Sequence, residues 1–97
     1  TQVIIIPINE THTKYAQTLQ KELLYNEIDA IVFNQNESLN KRIRIAERQK
    51  VPFIVVIGDN EVKDESVALR DRRNRTQEVL SKNNFLDKVK KLREVEL

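Results

Sequence analysis

Lys41, Arg44 and Arg48 stand at i, i+3 and i+7, a spacing that puts three cations on one stripe of a helix, where they can meet successive phosphates or bases. Residues 41–50 hold Lys41, Arg42, Arg44, Arg48 and Lys50 against Glu47, a net of +4, and the sequence expects the helix to turn these basic residues outward. A second cluster, residues 70–75, sets Arg70, Arg72, Arg73 and Arg75 against Asp71, a net of +3. Strand alternation sends Arg70 and Arg72 to one face and Arg73 to the other. Between the clusters, residues 59–65 set Asp59, Glu61, Asp64 and Glu65 against Lys63, a net of −3. The two cationic segments would draw a polyanion. A carboxylate between them, Glu61, can accept hydrogen bonds from the N1 and N2 donors of an unpaired guanine while repelling phosphate, so it would supply selectivity rather than affinity. Asn36 adds an amide that donates and accepts, as uracil and guanine edges require; a turn-forming asparagine fits the same position. Taken alone the basic helix also reads as an ordinary solvated face. The second arginine cluster shifts the balance toward a nucleic acid.

Other chemistry finds little support. His12 is the only histidine, flanked by Thr11 and Thr13, and no serine sits in a glycine elbow, so a nucleophile and base pair is missing. The expectation for His12 is a solvent-facing residue of a loop or first helical turn. Cysteine is absent, which excludes disulfides and thiolate metal sites, and the acidic residues 59–65 lack the spacing and central glycine of a calcium loop. The loop after the first apolar run, PINETHT, contains no glycine and cannot cradle a phosphate in the manner of a dinucleotide fold or a P-loop. No catalytic residue and no metal are expected here. Only five aromatics are present, so arginine planes would share the stacking of splayed bases.

The elements that would position these groups follow from periodicity. Residues 3–6, a valine and three isoleucines ending at Pro7, and residues 53–57 are unbroken apolar runs, the pattern of strands covered on both faces. Residues 28–33 read as a third strand, and the intervening segments are long enough for the helices that parallel neighbours require. In the first crossover Tyr15, Leu19 and Leu23 recur every four residues with Ala16 and Leu24 beside them. In the second, Leu39, Ile43 and Ala46 form the inner face, with Ser38 as N-cap and Lys50 and Pro52 marking the end. Gly58 breaks the strand of residues 53–57, residues 60–65 form a polar turn or a single helical turn, and residues 66–72 return antiparallel. Val79 and Leu80 suggest a very short last strand. Ser81 then caps a helix that buries Phe85, Leu86, Val89 and Leu92. The expected architecture is one domain over residues 1–97, a three-layer α/β/α unit with a mixed, mainly parallel sheet of about five strands. In such sheets ligands bind beyond the carboxyl ends of the parallel strands. Arg44, Glu61 and Arg70 are therefore expected to converge on that one rim. No apolar run approaches the ~20 residues needed to span a bilayer.

QVIIIPI at residues 2–8, Asn36 with Glu37, KRIRIAERQKVPFIVVIGDNEV at 41–62 and VALRDRR at 67–73 resemble the C-terminal anticodon-binding domain of class II threonyl-tRNA synthetases, over nearly the whole chain. The resemblance implies a domain excised from a longer, homodimeric, cytoplasmic ligase that uses ATP to attach threonine to tRNA(Thr). It implies that Asn36, Arg44, Glu61 and Arg70 contact bases of the anticodon loop, chiefly the G and U of threonine anticodons. Lys41, Arg48, Arg72 and Arg73 are the supporting phosphate contacts of the charge argument. No cofactor is expected in this domain; ATP, magnesium and zinc belong to the catalytic part of the parent enzyme. The chain departs from the family pattern at Gln35, where arginine is usual, at Asn40, where glycine is usual, and near Asn74 and Glu78, where glycines occur. Prolyl, histidyl and glycyl enzymes share the fold. A protein-interaction module on a receiver-like or thioredoxin-like scaffold is the other alternative, although the chain lacks the acidic pocket of the first and the C-x-x-C of the second.

Overall fold

Strands whose every residue is apolar have no face to offer water, and the computed structural model, which describes residues 2–33, 38–71 and 76–96 with side chains through 91, buries them accordingly. β1 (Val3–Pro7) is buried at every position and β3 (Phe53–Ile57) at every position but Val56. Ile4, Ile5 and Ile6 are wholly inaccessible, each worth about 1.5–3 kcal/mol of burial. β1 pairs parallel with β3, Val3 opposite Phe53 through Pro7 opposite Ile57. On its other side it pairs parallel with β2 (Ala30–Val32).

β2 is shorter than the strand expected over residues 28–33. The preceding helix, α1 (Thr13–Tyr25), ends in a turn in which Glu27 takes a left-handed φ of 62° and the Ile28 amide donates to the Leu23 carbonyl at 2.9 Å. Ile28 thus belongs to the helix stop. Phe33 continues the pairing by one bond, its amide donating to the Ile5 carbonyl at 2.8 Å.

β4 (Ser66–Asp71) runs antiparallel to β3 with Ile54 opposite Arg70, and β5 (Thr76–Ser81) antiparallel to β4. β5 extends well beyond the Val79 and Leu80 pair that marks it in the sequence. The order is β2-β1-β3-β4-β5, a mixed five-stranded open sheet in which three strands run parallel.

Alternation along the strands divides the core in two. Val3, Ile5, Val55, Ile57, Val67 and Leu69 face α1 and α4 (Lys82–Glu96), which contribute Ala16, Leu19, Leu23, Phe85 and Val89. Ile4, Ile6 and Ile54 face α2 (Leu39–Arg48), which contributes Ile43 and Ala46. Leu24 departs from the expected stripe and is about half exposed. Ser38 and Ser81 cap as expected: the hydroxyl of Ser38 accepts the Lys41 amide and that of Ser81 the Asn84 amide, each at 3.2 Å. The last short helix, α3 (Asp59–Asp64), leaves the end of β3 directly and buries no residue.

The largest correction concerns Arg42, which does not join the outward cations. It stands three residues after Leu39 and four before Ala46, on the inner face of α2, and is only 5% exposed. Its Nη1 donates to the carbonyls of Pro7 at 2.6 Å and Phe33 at 3.3 Å, and its Nη2 to that of Ile8 at 3.1 Å. These are chain positions where β1 and β2 end and their strand partners run out. One fork therefore ties two loops together, as the planar guanidinium can and an ammonium cannot.

Tyr15, half-buried against the other core, donates its hydroxyl to the Ser66 carbonyl at 3.0 Å. Burial, followed by the negative charges of Glu65, Glu22 and Glu61, pushes its phenol up to about 12.

Two expectations follow. Replacing Arg42 by Met should lower stability in urea by more than about 3 kcal/mol, because three hydrogen bonds to a charged donor, each worth about 1.5–3 kcal/mol, are lost together, whereas Arg44→Ala should stay within about 0.5 kcal/mol. Equal losses would contradict the assignment of inside and outside. Because the folded phenol of Tyr15 titrates above the ordinary tyrosine value, its contribution is intact below pH ~10 and is lost as pH rises through about 12, where the unfolded chain holds fewer protons than the folded one. Tyr15→Phe should flatten that alkaline fall in stability and abolish the late step in a tyrosinate absorbance titration.

Candidate nucleic-acid interface

α2 rests on β1 and β3 and stops there, so the same face of β4 and β5 stays open beside it. Val67 and Leu69 point into the opposite core, which leaves Ala68 and Arg70 on the open face. Their partners across the ladder, Val79 and Gln77, stand on it too. The result is a cleft of about 290 Å³ between helix and sheet. Leu39 and Ile43 of α2, Val56 of β3, Ala68, Leu69 and Val79 make its apolar lining, and Arg70, Gln77 and Glu78 supply polar groups. Val79 is 68% exposed, unusual for a strand valine. An apolar floor with a guanidinium and an amide beside it suits an unstacked base, which offers a flat face and a hydrogen-bonding edge.

The wall of the cleft comes from α2. Lys41, Arg44 and Arg48 are all exposed and flank one hollow on the helix together with Ser38, Asn40 and Ile45. The expected stripe is therefore present. At about 100° per residue Arg44 lies about 60° around the helix from Glu47, and Glu47 faces β4, since its Oε1 is 3.9 Å from Arg70 Nη1. Arg44 is thus the stripe residue nearest the cleft side of the helix, although it does not line the cleft, and Lys41 and Arg48 lie farther round. The Arg70–Glu47 pair is long and its side chains are 36% and 52% exposed, so it contributes at most about 1 kcal/mol and leaves the guanidinium free to change partner.

Glu61 sits elsewhere, on α3 at the carboxyl rim. Its Oε1 accepts the Gly58 amide at 2.9 Å and closes the first turn of the helix. Its Oε2 makes no hydrogen bond among the described residues. A carboxylate has about four lone-pair sites, so one is used in the cap and the rest remain for a base edge. A Cβ at the N-cap, Gly58, would lie 2.8 Å from Ile8 Cδ1 and 3.3 Å from Glu61 Oε1, so a larger residue there would displace the end of the Ile8 side chain and crowd the capping carboxylate.

The single rim expected from the sequence is corrected by this geometry. Arg70 pairs with Ile54, four residues before Gly58, so along strands rising roughly 3.3 Å per residue it lies on the order of 13 Å from the rim that carries Glu61. Arg70 lines the cleft, Arg44 flanks a separate hollow on the outer face of α2 with Lys41 and Arg48, and Glu61 stands at the rim, so the three do not share one lining. Asn36, Arg72 and Arg73 lie outside the described residues. Asn36 comes three residues after Phe33, whose carbonyl Arg42 holds.

His12 is the second residue misplaced by the sequence reading, for it is buried rather than solvent-facing, at 3% exposure. It ends a single 3₁₀ turn (Glu10–His12) and bonds across the rim to Asp59. Helical spacing carried a signal for Arg42, three residues from Leu39 and one turn from Ala46. Gln77 had none, because only two residues of β5 were apolar enough to mark a strand.

A family model described as the anticodon binding domain matches residues 2–92. The chain is 57% identical over 96 residues to the threonine–tRNA ligase of Campylobacter hominis and 48% identical over 96 residues to that of Nautilia profundicola. These alignments cover 98% and 99% of the chain and 16% of each relative, so the chain spans about a sixth of the length of the curated relatives it matches. Among solved structures, the RNA binding domain of threonyl-tRNA synthetase from Cryptosporidium parvum Iowa II superposes with a TM-score of 0.84 at 31% identity, over 90% of this chain and 22% of that one. Prolyl-tRNA synthetase from Cryptosporidium parvum superposes at 0.87 with 22% identity over 97% of this chain and 21% of that one, a likeness of fold. With a match over nearly its whole length, and with the open mixed sheet that the solved relatives share, the chain belongs to the anticodon binding domain family.

Proposed function

We propose that this chain reads the anticodon loop of tRNA(Thr) as part of a threonine–tRNA ligase. The observation that carries the reading is the apolar cleft lined by Arg70, beside a helix whose outer face carries Lys41, Arg44 and Arg48, in a chain 57% identical to a threonine–tRNA ligase. Lys41 and Arg48 hold phosphates along the outer face of α2. Arg44 reaches from the same stripe toward bases in the cleft, and Arg70 presents its fork beside the apolar floor. Glu61 contributes rejection as much as attraction, because a fixed carboxylate favours the N1 and N2 donors of guanine and disfavours bases that present acceptors there. Asn36 serves a neighbouring base edge, and Arg72 and Arg73 add phosphate contacts.

The parent enzyme attaches threonine to its tRNA with ATP, in a catalytic part that holds ATP, magnesium and zinc. The residues described here bring no chemistry to that reaction; they choose the tRNA. A homodimer in the cytoplasm is the setting this assignment carries with it.

A titration with anticodon stem-loops tests the reading. Loops with the threonine G and U should bind more tightly than loops changed at those bases, and affinity should fall linearly in log salt, with a slope of about 0.7 per single-strand phosphate neutralised. Arg44→Ala should weaken every loop by about 1–3 kcal/mol and lessen the salt slope by about one unit. Glu61→Gln should lower the preference for guanine while leaving the salt slope in place. Equal binding of matched and changed loops by the unaltered chain would leave only nonspecific attraction and end the proposal.

A further inference from the structure

α3 is a helix of six residues with none of them buried, so apolar packing does little to hold it, and a helix that short is marginal without outside support. It nevertheless carries Glu61. Its tether to the rest of the rim is polar. His12 Nδ1 accepts the Asn9 amide at 3.1 Å, which fixes the ring proton on Nε2, and Nε2 faces Asp59 Oδ1 at 2.6 Å. Asp59 is the first residue of α3 and is otherwise bathed in solvent, its side chain 94% exposed. The imidazole is thus oriented at one nitrogen by the loop after β1 and grips the helix with the other. Ile8 of the same loop closes on Gly58, the residue whose amide Glu61 caps. One short loop therefore meets α3 at both of the positions that set where the Glu61 carboxylate lies.

We infer that His12 is a positioning residue for base selection: its neutral imidazole, held by Asn9, fixes Asp59 and with it the Glu61 carboxylate in the orientation that reads a base. The inference rests on the role of Glu61 given above. It assigns His12 no contact with the nucleic acid.

Asparagine and glutamine separate the two halves of the device. The side-chain oxygen of asparagine falls where Nδ1 stands and keeps the Asn9 amide, but the residue is too short to reach Asp59. The amide nitrogen of glutamine falls near Nε2 and keeps Asp59 while releasing the loop. H12N should therefore lose the preference for guanine-containing loops by about tenfold, the worth of one base contact, while H12Q keeps it within about twofold. The slope of affinity against salt should be the same in both variants, since no phosphate contact changes. Hydrogen exchange at the Gly58 amide gives a readout independent of RNA, with protection lost in H12N and retained in H12Q.

Because a buried histidine also supports the fold, the exposed partner provides the second pair. Asp59→Ala should reproduce the loss, and Asp59→Asn, which keeps an accepting oxygen, should not. A chain that discriminates between loops but does so equally well as H12N, or as Asp59→Ala, would overturn the role of His12 alone. Indifference of the unaltered chain to the loop bases would instead overturn the reading of Glu61.

Discussion

Where parallel strands end together, backbone carbonyls lose their ladder partners in a place too crowded for water, and in this chain a single guanidinium answers three of them. Arg42 joins the carbonyls of Pro7, Ile8 and Phe33, so the exits of β1 and β2 are held by one planar group rising from the buried face of α2. Its Nε has no hydrogen-bond partner among the described residues, a cost that the charged bonds at Nη1 and Nη2 more than offset. Residues of the candidate site stand in different relations to that fork. Asn36 comes three residues after Phe33 in the chain, His12 belongs to the loop that starts after Pro7, and Arg44 lies two residues along the same helix. Apolar packing and the strand ladders fix the sheet; the rim is fixed by side-chain polar bonds.

The charges divide labour along the same geometry. Lys41, Arg44 and Arg48 lie on an exposed stripe where each loses little solvation on meeting a phosphate. Arg70 waits in a loose pair with Glu47 that a ligand can exchange for a stronger one. The acidic helix α3 sits apart, at the far end of the cleft. On the proposed reading, a polyanion drawn to the cations would approach a carboxylate it can satisfy only with base donors, so affinity and choice would come from separate residues.

Much of this was legible before any coordinate. Unbroken apolar runs marked β1 and β3 because strands covered twice leave no polar positions, and the caps at Ser38 and Ser81 were visible because an N-cap is a local, one-residue decision. The four-residue recurrence of Tyr15, Leu19 and Leu23 gave α1, although Leu24 turned out half exposed. The misses share a cause. Arg42 and His12 were taken at their average behaviour, as surface residues, and only tertiary partners far along the chain, Pro7 for one and Asp59 for the other, make their burial affordable. β2 came out short because a helix stop claimed Ile28, a decision made by Glu27 in a conformation its residue type does not advertise. β5 was nearly invisible since five of its six residues face solvent and its pattern is polar. The cleft went unseen with it, and so did the distance between Glu61 and Arg70, which depends on the register of β3 against β4.

The same exposed strand has a bearing on handling the chain by itself. β2 stops after three residues, but β5 forms a six-residue border whose outer backbone groups have no neighbouring strand within the sheet, the geometry through which copies add edge to edge and aggregate. Its composition resists that fate: Gln77 and Glu78 interrupt the apolar character around Val79, and Lys88 reaches across from α4 to Glu78 at 2.7 Å, so any strand laid alongside would meet an ion pair. Charge at this border serves as a gatekeeper for solubility, a duty unrelated to RNA that constrains which residues β5 can carry.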